Sequence, residues 1–373
     1  MRVARVLFDR GPRPGGTLFE APRAVIRADT AEEVEGAFAR MEAARAEDLW
    51  LAGAASYELG AALLPKLAGP RRAEVPLLQF GVFDRPSAPP AAAGDGDLTT
   101  PEPLWTFATY KTAFERVQAY IAAGDIYQAN LTFPLSARWS GDLLGLHARL
   151  AARQPVPHGA LVDLGGPALL SRSPELFFRV AGDGTLEARP MKGTARRGAD
   201  APADAAQRRW LTTSEKNRAE NLMIVDLLRN DMARVSDVGS VAVPELFAVE
   251  TYATLHQMTS RITSRLRGGT GLSDLFTALF PCGSVTGAPK IRAMQIIEEL
   301  EAGPRGAYCG AVGWIAPNGA MEFGVSIRTL TCHADGRAEL SVGGGIVHDS
   351  TARDEYDEAL LKARFALLDT ARA

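Results

Sequence analysis

The sequence predicts an α+β fold with antiparallel strand pairing. Strand-like runs lie on either side of two turn signals, Pro-Asn-Gly at 317–319 and Ala-Asp-Gly at 334–336, and such turns typically join the strands of a hairpin. Strong helical patterns cover 215–235, 289–301 and 351–368. They interrupt the strands without the regular alternation of strand and helix that is typical of a doubly wound parallel sheet.

The composition is that of an ordinary globular protein. With 373 residues, 46% hydrophobic and 23% charged, the chain can bury one large core or two modest ones. The formal net charge of -3 provides no excess positive field for phosphates, so we expect no nucleic-acid partner. The N-terminus lacks an apolar signal segment, and no apolar run approaches the roughly 20 residues of a membrane span. We therefore expect a cytoplasmic protein with no membrane association.

The three cysteines predict neither a disulfide framework nor a zinc site. Cys282, Cys309 and Cys332 are odd in number and have no CxxC spacing. We expect them to be small buried residues.

A proline-, alanine- and glycine-rich stretch at 87–103 predicts a long loop. It divides the chain into a short N-terminal part, 1–103, and a larger domain, 104–373. In the first part, Thr30 and Glu33 form a capping-box pattern before an amphipathic helix, and a strand-like run follows that helix.

The larger part begins with a helix, a turn and a long strand. Phe114, Val117 and Ile121 share a helical face, and the pattern ends at Gly124. Alternation over 131–139 predicts a half-buried strand. Further strand candidates, most of them bounded by Gly, Pro or Asp, are 159–164, 168–172, 175–180, 308–315, 324–332 and 338–345.

The stretch RPMKGTARRG, 189–198, places Lys192 among arginines with no acidic residue inside it. One interpretation is a basic surface loop, which is the usual outcome for a Lys/Arg cluster. The other is a site for an anionic substrate, in which Arg189, Arg196 and Arg197 attract the anion and Lys192 lies close enough to react. The stretch alone leaves both interpretations open.

Two predicted helices carry carboxylates suited to a hard metal ion. In the last helix, Glu355, Glu358 and Lys362 share one face. In the earlier helix, Asn217 and Glu220 lie on a stripe that becomes apolar within one turn, where a carboxylate is costly unless it is paired or binds a metal. Oxygen ligands without a His or Cys cluster favour Mg²⁺. The alternative is a solvated face with internal ion pairs.

Three further stretches could contact a substrate. Glu175 follows a proline and precedes an apolar run, so partial desolvation would raise its pKa and suit it to general acid catalysis. An exposed strand-end glutamate is an equal alternative. GSVTGAPK, 283–290, lacks Walker A spacing but leads to a helix whose free N–H groups can receive a carboxylate. The glycines at 343–345 allow close backbone approach to a ligand, or else a tight strand bend.

Together these stretches resemble the chorismate-utilising enzymes, a family that includes anthranilate, aminodeoxychorismate, isochorismate and salicylate synthases. The resemblance runs in order from Gly124 to Lys362 and is carried by GDIYQANLT, SRSPELFF, RPMKGTARRG, AENLMIVDLLRND, LFPCGSVTGAPKIRAMQIIEELE, RGAYCGAVGW, SIRT and GGGIVHDSTARDEYDEALLKA. It implies an α+β fold of large antiparallel sheets flanked by helices, with 104–373 as the chorismate-binding catalytic domain.

Two positions indicate a branch of the family. The aminodeoxychorismate synthase branch resembles this chain in having a lysine at the position of Lys192, where anthranilate synthases have alanine. Isochorismate and salicylate synthases have a water-activating lysine at the position of Gln128. The resemblance therefore implies component I of an aminodeoxychorismate synthase, which converts chorismate and ammonia to 4-amino-4-deoxychorismate for p-aminobenzoate and folate synthesis. Component I of anthranilate synthase and a catalytically silent chorismate-binding subunit are the alternatives.

The resemblance also implies a role for each candidate residue. Lys192 is the nucleophile of a covalent intermediate, and Glu175 is the acid that protonates the departing 4-hydroxyl. The implied substrate-binding residues are Gln128, Thr194, Gln257, Ser284, Tyr308, Arg328, Gly343, Gly344 and Lys362.

The implied metal site consists of Glu220 and Glu358 holding Mg²⁺, with Asn217 and Glu355 beside it. Two positions depart from the family pattern: Asn217 stands where anthranilate synthases have glutamate, and Gln257 stands where many relatives have histidine. No cysteine lies in the G-x-C-x-G turn of a glutaminase. Ammonia would therefore come from solution or from a separate glutamine amidotransferase subunit.

Overall fold

Twenty strands and nine α-helices form within residues 3–90, 94–252 and 255–368, the residues that the computed structural model describes. The strands are β1 (Arg5–Phe8), β2 (Thr17–Glu20), β3 (Ala24–Ala28), β4 (Trp50–Ala55), β5 (Leu78–Phe83), β6 (Gly96–Leu98), β7 (Glu102–Pro103), β8 (Gln128–Gly141), β9 (His158–Asp163), β10 (Ala168–Ser173), β11 (Leu176–Val180), β12 (Thr185–Ala188), β13 (Met191–Arg196), β14 (Ala242–Thr251), β15 (Leu255–Arg265), β16 (Gly287–Ala288), β17 (Ala311–Ile315), β18 (Met321–Val325), β19 (Thr329–Cys332) and β20 (Arg337–Ile346). The helices are α1 (Ala31–Ala46), α2 (Leu59–Leu63), α3 (Phe107–Ala122), α4 (Leu143–Arg153), α5 (Ala201–Thr213), α6 (Glu215–Ala233), α7 (Leu272–Leu279), α8 (Lys290–Leu300) and α9 (Ala352–Lys362).

The strands form two ten-stranded sheets. The first sheet has the order β16-β8-β20-β19-β10-β9-β1-β2, with β6 and β7 also paired to β8. The second has the order β13-β15-β12-β11-β18-β17-β4-β5-β3, with β14 also paired to β15. The pairs that build both sheets are antiparallel. The predicted α+β fold of large antiparallel sheets is confirmed.

Apolar side chains join the two sheets and attach the helices to them. Phe19 and Val162 of the first sheet share one buried cluster with Phe83 and Trp314 of the second. Helices α1, α6 and α7 pack in the core of the second sheet, whereas α3, α4, α8 and α9 pack in that of the first. None of the helices formed by the described residues combines the length and apolar character needed to cross a membrane.

Capping and turn patterns in the sequence correctly predicted the start of one helix and the two hairpins. Helix α1 begins after Thr30, whose backbone N–H donates to the Glu33 carboxylate at 3.2 Å, as the capping-box pattern predicted. Helix α3 ends at Ala122, two residues before the predicted glycine. The two predicted hairpins are β17–β18 and β19–β20.

The prediction of a continuous loop over 87–103 is wrong in part. Strand β8 is 14 residues long, and its second half offers a backbone edge that pairs with β6 and β7. Residues 91–93 of this stretch lie outside the described residues. Strands β1 and β2 belong to the first sheet and β3, β4 and β5 to the second, so residues before 103 contribute to both. The division of the chain at residue 103 stays a prediction.

Two predicted strands are shorter than their apolar runs. The run 324–332 is not one strand, because β18 ends at Val325 and β19 begins at Thr329 while the chain passes from the second sheet to the first. The strand predicted before it begins only at Ala311, after a turn in which Cys309 has φ 63°. Alternating apolar residues do not reveal such a change of sheet, since both sheets bury them.

Candidate active site

At two of the points where the chain passes from one sheet to the other, the connection carries a predicted site residue. Glu175 lies between β10 of the first sheet and β11 of the second, and Arg328 lies between β18 and β19. The Val325 N–H donates to the Glu175 carbonyl at 3.0 Å, and the Arg172 N–H donates to the Arg328 carbonyl at 2.9 Å. We call this region, defined by Glu175 and Arg328, the seam.

Glu175 is a buried carboxyl with a specific hydrogen-bond donor. It is 7% exposed, and its Oε1 accepts from the Ser284 hydroxyl at 2.7 Å. Burial raises the pKa of Glu175, against the Ser284 hydrogen bond and the positive charges of Lys192, His158 and Arg328. A carboxyl that retains its proton toward neutral pH is suited to act as a general acid. The alternative of an exposed strand-end glutamate is wrong.

Lys192 lies on β13, at the edge of the second sheet, where the register with β15 shifts just before Thr194. Gly193 has φ 85°, and a Cβ there would lie 3.0 Å from Cγ of Asn217 on α6. Gln257 Nε2 donates to the Gly193 carbonyl at 2.7 Å, and the Thr194 hydroxyl donates to Gln257 Oε1 at 3.1 Å. Gln257 thus fixes the backbone beside Lys192, while the substrate contacts of Gln257 and Thr194 stay predictions.

The positive charge of Lys192 acts on carboxyl groups of α9 as well as on Glu175 in the seam. Burial raises the pKa of Glu355, and the positive charges of Lys362 and Lys192 oppose that rise. Burial also acts to raise the pKa of Glu358, but Lys362, Lys192 and Lys216 outweigh it and hold that pKa below its ordinary value. Lys192 therefore lies within electrostatic reach of both the seam and α9.

The arginines around Lys192 do not all face an open site. Arg189 pairs with Glu250 at 2.9 Å, and Arg197 pairs with Asp204 at 2.7 Å. Each of these two arginines is paired with a carboxylate, and their attraction of a substrate anion stays a prediction. Arg196 is exposed to solvent.

Helix α9 lies directly over the glycines of β20. Lys362 Nζ donates to the Gly343 carbonyl at 2.9 Å and pairs with Glu358 Oε1 at 2.8 Å. A Cβ on Gly344 would lie 2.9 Å from Glu355 Oε2 and 3.5 Å from Lys362 Nζ. A side chain at position 344 would therefore displace the ends of the Glu355 and Lys362 side chains, so glycine here allows them to approach the backbone of β20 closely.

Two of the predicted substrate contacts, Gln128 and Tyr308, are buried polar residues, and a third, Arg328, is half-buried. Gln128 begins β8 with 0% exposure, and neither of its amide atoms has a hydrogen-bond partner among the described residues. Burial raises the pKa of the Tyr308 hydroxyl. Burial lowers the pKa of Arg328, against the charges of Glu175 and Tyr308. Among the described residues, Glu175 and Tyr308 act on Arg328 through their charge and not through a side-chain hydrogen bond, so its guanidinium can receive an anion.

The predicted metal ligands Glu220 and Glu358 lie on α6 and α9, respectively. The positive charge of Lys216, one turn before Glu220 on α6, helps to lower the pKa of Glu358 on α9, so the first turn of α6 lies within electrostatic reach of α9. Among the side chains described, no group of three or more His, Cys, Asp or Glu surrounds a common point. Mg²⁺ commonly takes one or two carboxylates and completes its shell with water and substrate oxygens. The oxygen donors of Glu220, Glu358 and Glu355 fit that ion in their chemistry.

Sequence reasoning missed two contacts near Glu175. The Cys282 Sγ lies 3.2 Å from Ser284 Oγ, although Cys282 was expected only to fill space. His158 Nδ1 lies 3.1 Å from Glu322 Oε1, and His158 pairs across β9–β10 with Ser173. The spacing of Cys282 two residues before Ser284 was a usable signal for the first contact. The second depends on strand pairing that no local pattern shows.

Comparisons with known proteins identify the family to which the chain belongs. The family profile of chorismate binding enzymes matches residues 4–368. An aminodeoxychorismate synthase of Streptomyces griseus is 46% identical over 266 residues, covering 70% of this chain and 36% of that protein. The aminodeoxychorismate synthase component 1 of Klebsiella aerogenes is 46% identical over 253 residues, covering 68% of this chain and 56% of that protein. The chain thus spans little more than half the length of one relative and about a third of the other.

A solved structure shares the fold. The crystal structure of anthranilate synthase component I from Streptococcus pneumoniae TIGR4 matches with a TM-score of 0.73 and 27% identity, covering 84% of this chain and 79% of that one. The family profile covers nearly the whole chain, and the two antiparallel sheets are those expected from the resemblance. The chain belongs to the family of chorismate binding enzymes.

Proposed function

We propose that this chain catalyses the 4-amination of chorismate to 4-amino-4-deoxychorismate. The observation that carries the proposal is the position of Lys192, whose charge acts on Glu175 in the seam and on Glu358 of α9. A nucleophile, a buried acid and a carboxylate-bearing helix thus border one region. Two relatives named aminodeoxychorismate synthase, each 46% identical, support the same reaction.

The seam supplies the groups needed to bind a dicarboxylate. Arg328 offers a guanidinium without an ion-pair partner among the described residues, and the Tyr308 hydroxyl lies within its electrostatic reach. Charge-assisted hydrogen bonds from arginine to carboxylate are about twice as strong as neutral ones. Arg328 would therefore anchor one carboxylate of chorismate. The second would lie toward α9, next to the backbone of Gly343 and Gly344.

Lys192 and Glu175 would divide the displacement of the 4-hydroxyl into two easier steps. The neutral Lys192 amine attacks C2 of the ring, the double-bond electrons shift, and the C4–O bond breaks as Glu175 protonates the leaving oxygen to form water. Ammonia then attacks C4, the electrons shift back, and the C2–N bond breaks to release Lys192 as an amine. Removing such a general acid typically lowers the rate by about 10²–10⁴-fold.

Mg²⁺ is the proposed cofactor, held by Glu220 and Glu358 with Asn217 and Glu355 beside it. When bound, the ion would neutralise and orient a substrate carboxylate. At this end of the site, the Lys362 side chain orients Glu358. Lys362 holds Glu358 at 2.8 Å and fixes it relative to β20 through the Gly343 carbonyl.

The proposed source of ammonia is a separate glutamine amidotransferase subunit. The Klebsiella aerogenes relative is named a component 1, which supports the existence of a partner component. All three cysteines of the chain are buried, so none is presented to solvent as a glutaminase nucleophile would be. The chain alone should therefore turn over with ammonium and fail to use glutamine until an amidotransferase subunit is added.

The test is a product assay with chorismate, Mg²⁺ and ammonium. The expected product is 4-amino-4-deoxychorismate, identified by chromatography and mass spectrometry against a standard. Arg196→Ala serves as a control variant: it removes an exposed cation from β13 without touching the seam, so it should form the same product as the wild type. Formation of anthranilate would favour the anthranilate synthase alternative, and unchanged chorismate with measurable binding would favour a silent subunit.

A further inference from the structure

The Cys282 thiol, the Ser284 hydroxyl and the Glu175 carboxyl form a buried series of hydrogen bonds. Cys282 Sγ lies 3.2 Å from Ser284 Oγ, and the Ser284 hydroxyl donates to Glu175 Oε1 at 2.7 Å. The three residues are 3%, 6% and 7% exposed, respectively. Cys282 and Ser284 lie on one tight turn between α7 and β16, so the turn fixes their spacing.

The direction of this series follows from counting protons. A serine hydroxyl has one proton to donate, and Ser284 directs it at Glu175 Oε1. The bond between Cys282 and Ser284 must then use the thiol proton, with the Ser284 oxygen accepting it. Burial raises the pKa of Cys282 to about 12, so the thiol retains that proton at neutral pH. If Ser284 instead donated to the sulfur, Glu175 Oε1 would lose its donor.

We infer that Cys282 is a positioning residue for the general acid, because its donation to Ser284 keeps the serine proton directed at Glu175 Oε1. A carboxyl oxygen that already receives a hydrogen bond is a poor place for the acid proton. The proton that Glu175 delivers then resides on Oε2, the oxygen not engaged by Ser284. The inference rests on the proposed function, in which Glu175 protonates the 4-hydroxyl.

The charged groups that face Glu175 must stay constant in any test. Lys192 faces it from β13, His158 from β9 and Arg328 from the seam. Lys290 acts on the Cys282 thiol from the start of α8. Substitutions confined to the turn leave all four of these cations in place, so a change in titration can be assigned to the hydrogen-bond series.

The experiment is the pH dependence of kcat for ammonium-dependent 4-amination in a set of turn variants. The side chains introduced by Cys282→Ala and Cys282→Val have no proton to donate, so kcat should fall about fivefold. The alkaline limb of the pH profile, where kcat falls as Glu175 ionises, should move up by about half a pH unit. The limb moves up because a weaker hydrogen bond to the carboxylate favours its protonated form. Cys282→Ser, which restores a donor, should return both quantities toward wild type.

A double-mutant cycle separates positioning from packing. Ser284→Ala should move the alkaline limb at least as far as Cys282→Ala does. Adding Cys282→Ala to Ser284→Ala should change nothing more, because Cys282 acts through Ser284. Cys332→Ala removes another buried thiol, within β19, and should leave the limb in place.

Two outcomes would overturn the inference. One is an alkaline limb that stays at its wild-type position in both Cys282→Ala and Cys282→Val. The other is a double variant whose shift equals the sum of the single shifts. Failure of the proposed function is distinguishable, because the wild-type protein would then form no 4-amino product before any variant is compared.

Discussion

Glu58 is a carboxyl whose burial makes the stability of the protein depend on pH. It precedes α2, is 5% exposed, and its Oε1 accepts from the Arg305 backbone N–H at 2.7 Å. Its Oε2 has no hydrogen-bond partner among the described residues. Burial raises the pKa of Glu58 from 4.5 to about 7, against the backbone hydrogen bonds and the charge of Arg305.

The sign and size of the effect follow from proton linkage. Below pH 4.5 the folded and unfolded states both hold the proton, so Glu58 contributes no pH dependence. Between pH 4.5 and about 7 the unfolded state ionises first, so the folded state binds more protons and stability falls as pH rises. A separation of about 2.5 pH units at about 1.4 kcal/mol per unit gives a total loss of about 3.5 kcal/mol, complete once the pH is well above 7.

Glu58→Gln should remove this pH dependence, because the amide keeps the Oε1 acceptor and does not ionise. The assay is the free energy of unfolding from urea titrations at pH 5 and pH 8. The wild type should lose about 2.5 kcal/mol more than the variant between these values. Glu35→Gln, the same change at an exposed position of α1, should behave like the wild type. Equal losses in wild type and Glu58→Gln would refute the reasoning.

Three further predictions concern the proposed site. Gly344→Ala places a Cβ 2.9 Å from Glu355 Oε2 and should lower kcat/KM about tenfold with little change in Tm. Gly268→Ala, whose Cβ would lie in open space, should leave kcat/KM unchanged, and equal kcat/KM values for the two variants would contradict this. Glu358→Gln removes an anionic oxygen and should raise the Mg²⁺ concentration needed for half-maximal activity about tenfold. Wild-type activity that persists in the presence of a chelator would exclude a role for Mg²⁺. Because burial raises the pKa of Glu175, kcat should fall on the alkaline side as it ionises, and Glu175→Gln should lose about 10² in kcat together with that limb.

Local signals in the sequence were sufficient for much of the secondary structure. Thr30 and Glu33 cap α1 as predicted, since capping depends on residues three apart in the chain. Period-two alternation likewise located β8 and β20, whose ten paired positions place glycines 343–345 opposite the start of β8. The change of sheet at Arg328 was not predictable, because it depends on which distant strand each half of the run pairs with.

The candidate site was predictable in its residue types and less so in its contacts. Lys192 and Glu175 were identified from composition and apolar context, and they are electrostatically coupled in the structure. The contacts of Gln257 were not foreseen, because its bonds to Gly193 and Thr194 require the antiparallel pairing of β13 with β15. The ion pair of Arg189 was not foreseen for the same reason, since its partner Glu250 lies on β14.

Intact-mass analysis can detect the proposed covalent bond between Lys192 and the substrate. The protein is incubated with chorismate and Mg²⁺ in the absence of ammonia, and the modified peptide is then mapped. We expect an adduct on Lys192 with the mass of chorismate minus one water. It should be absent from Lys192→Ala and retained in Lys290→Ala. An adduct mapped to Lys290 or Lys362, or full 4-amination by Lys192→Ala, would contradict this expectation.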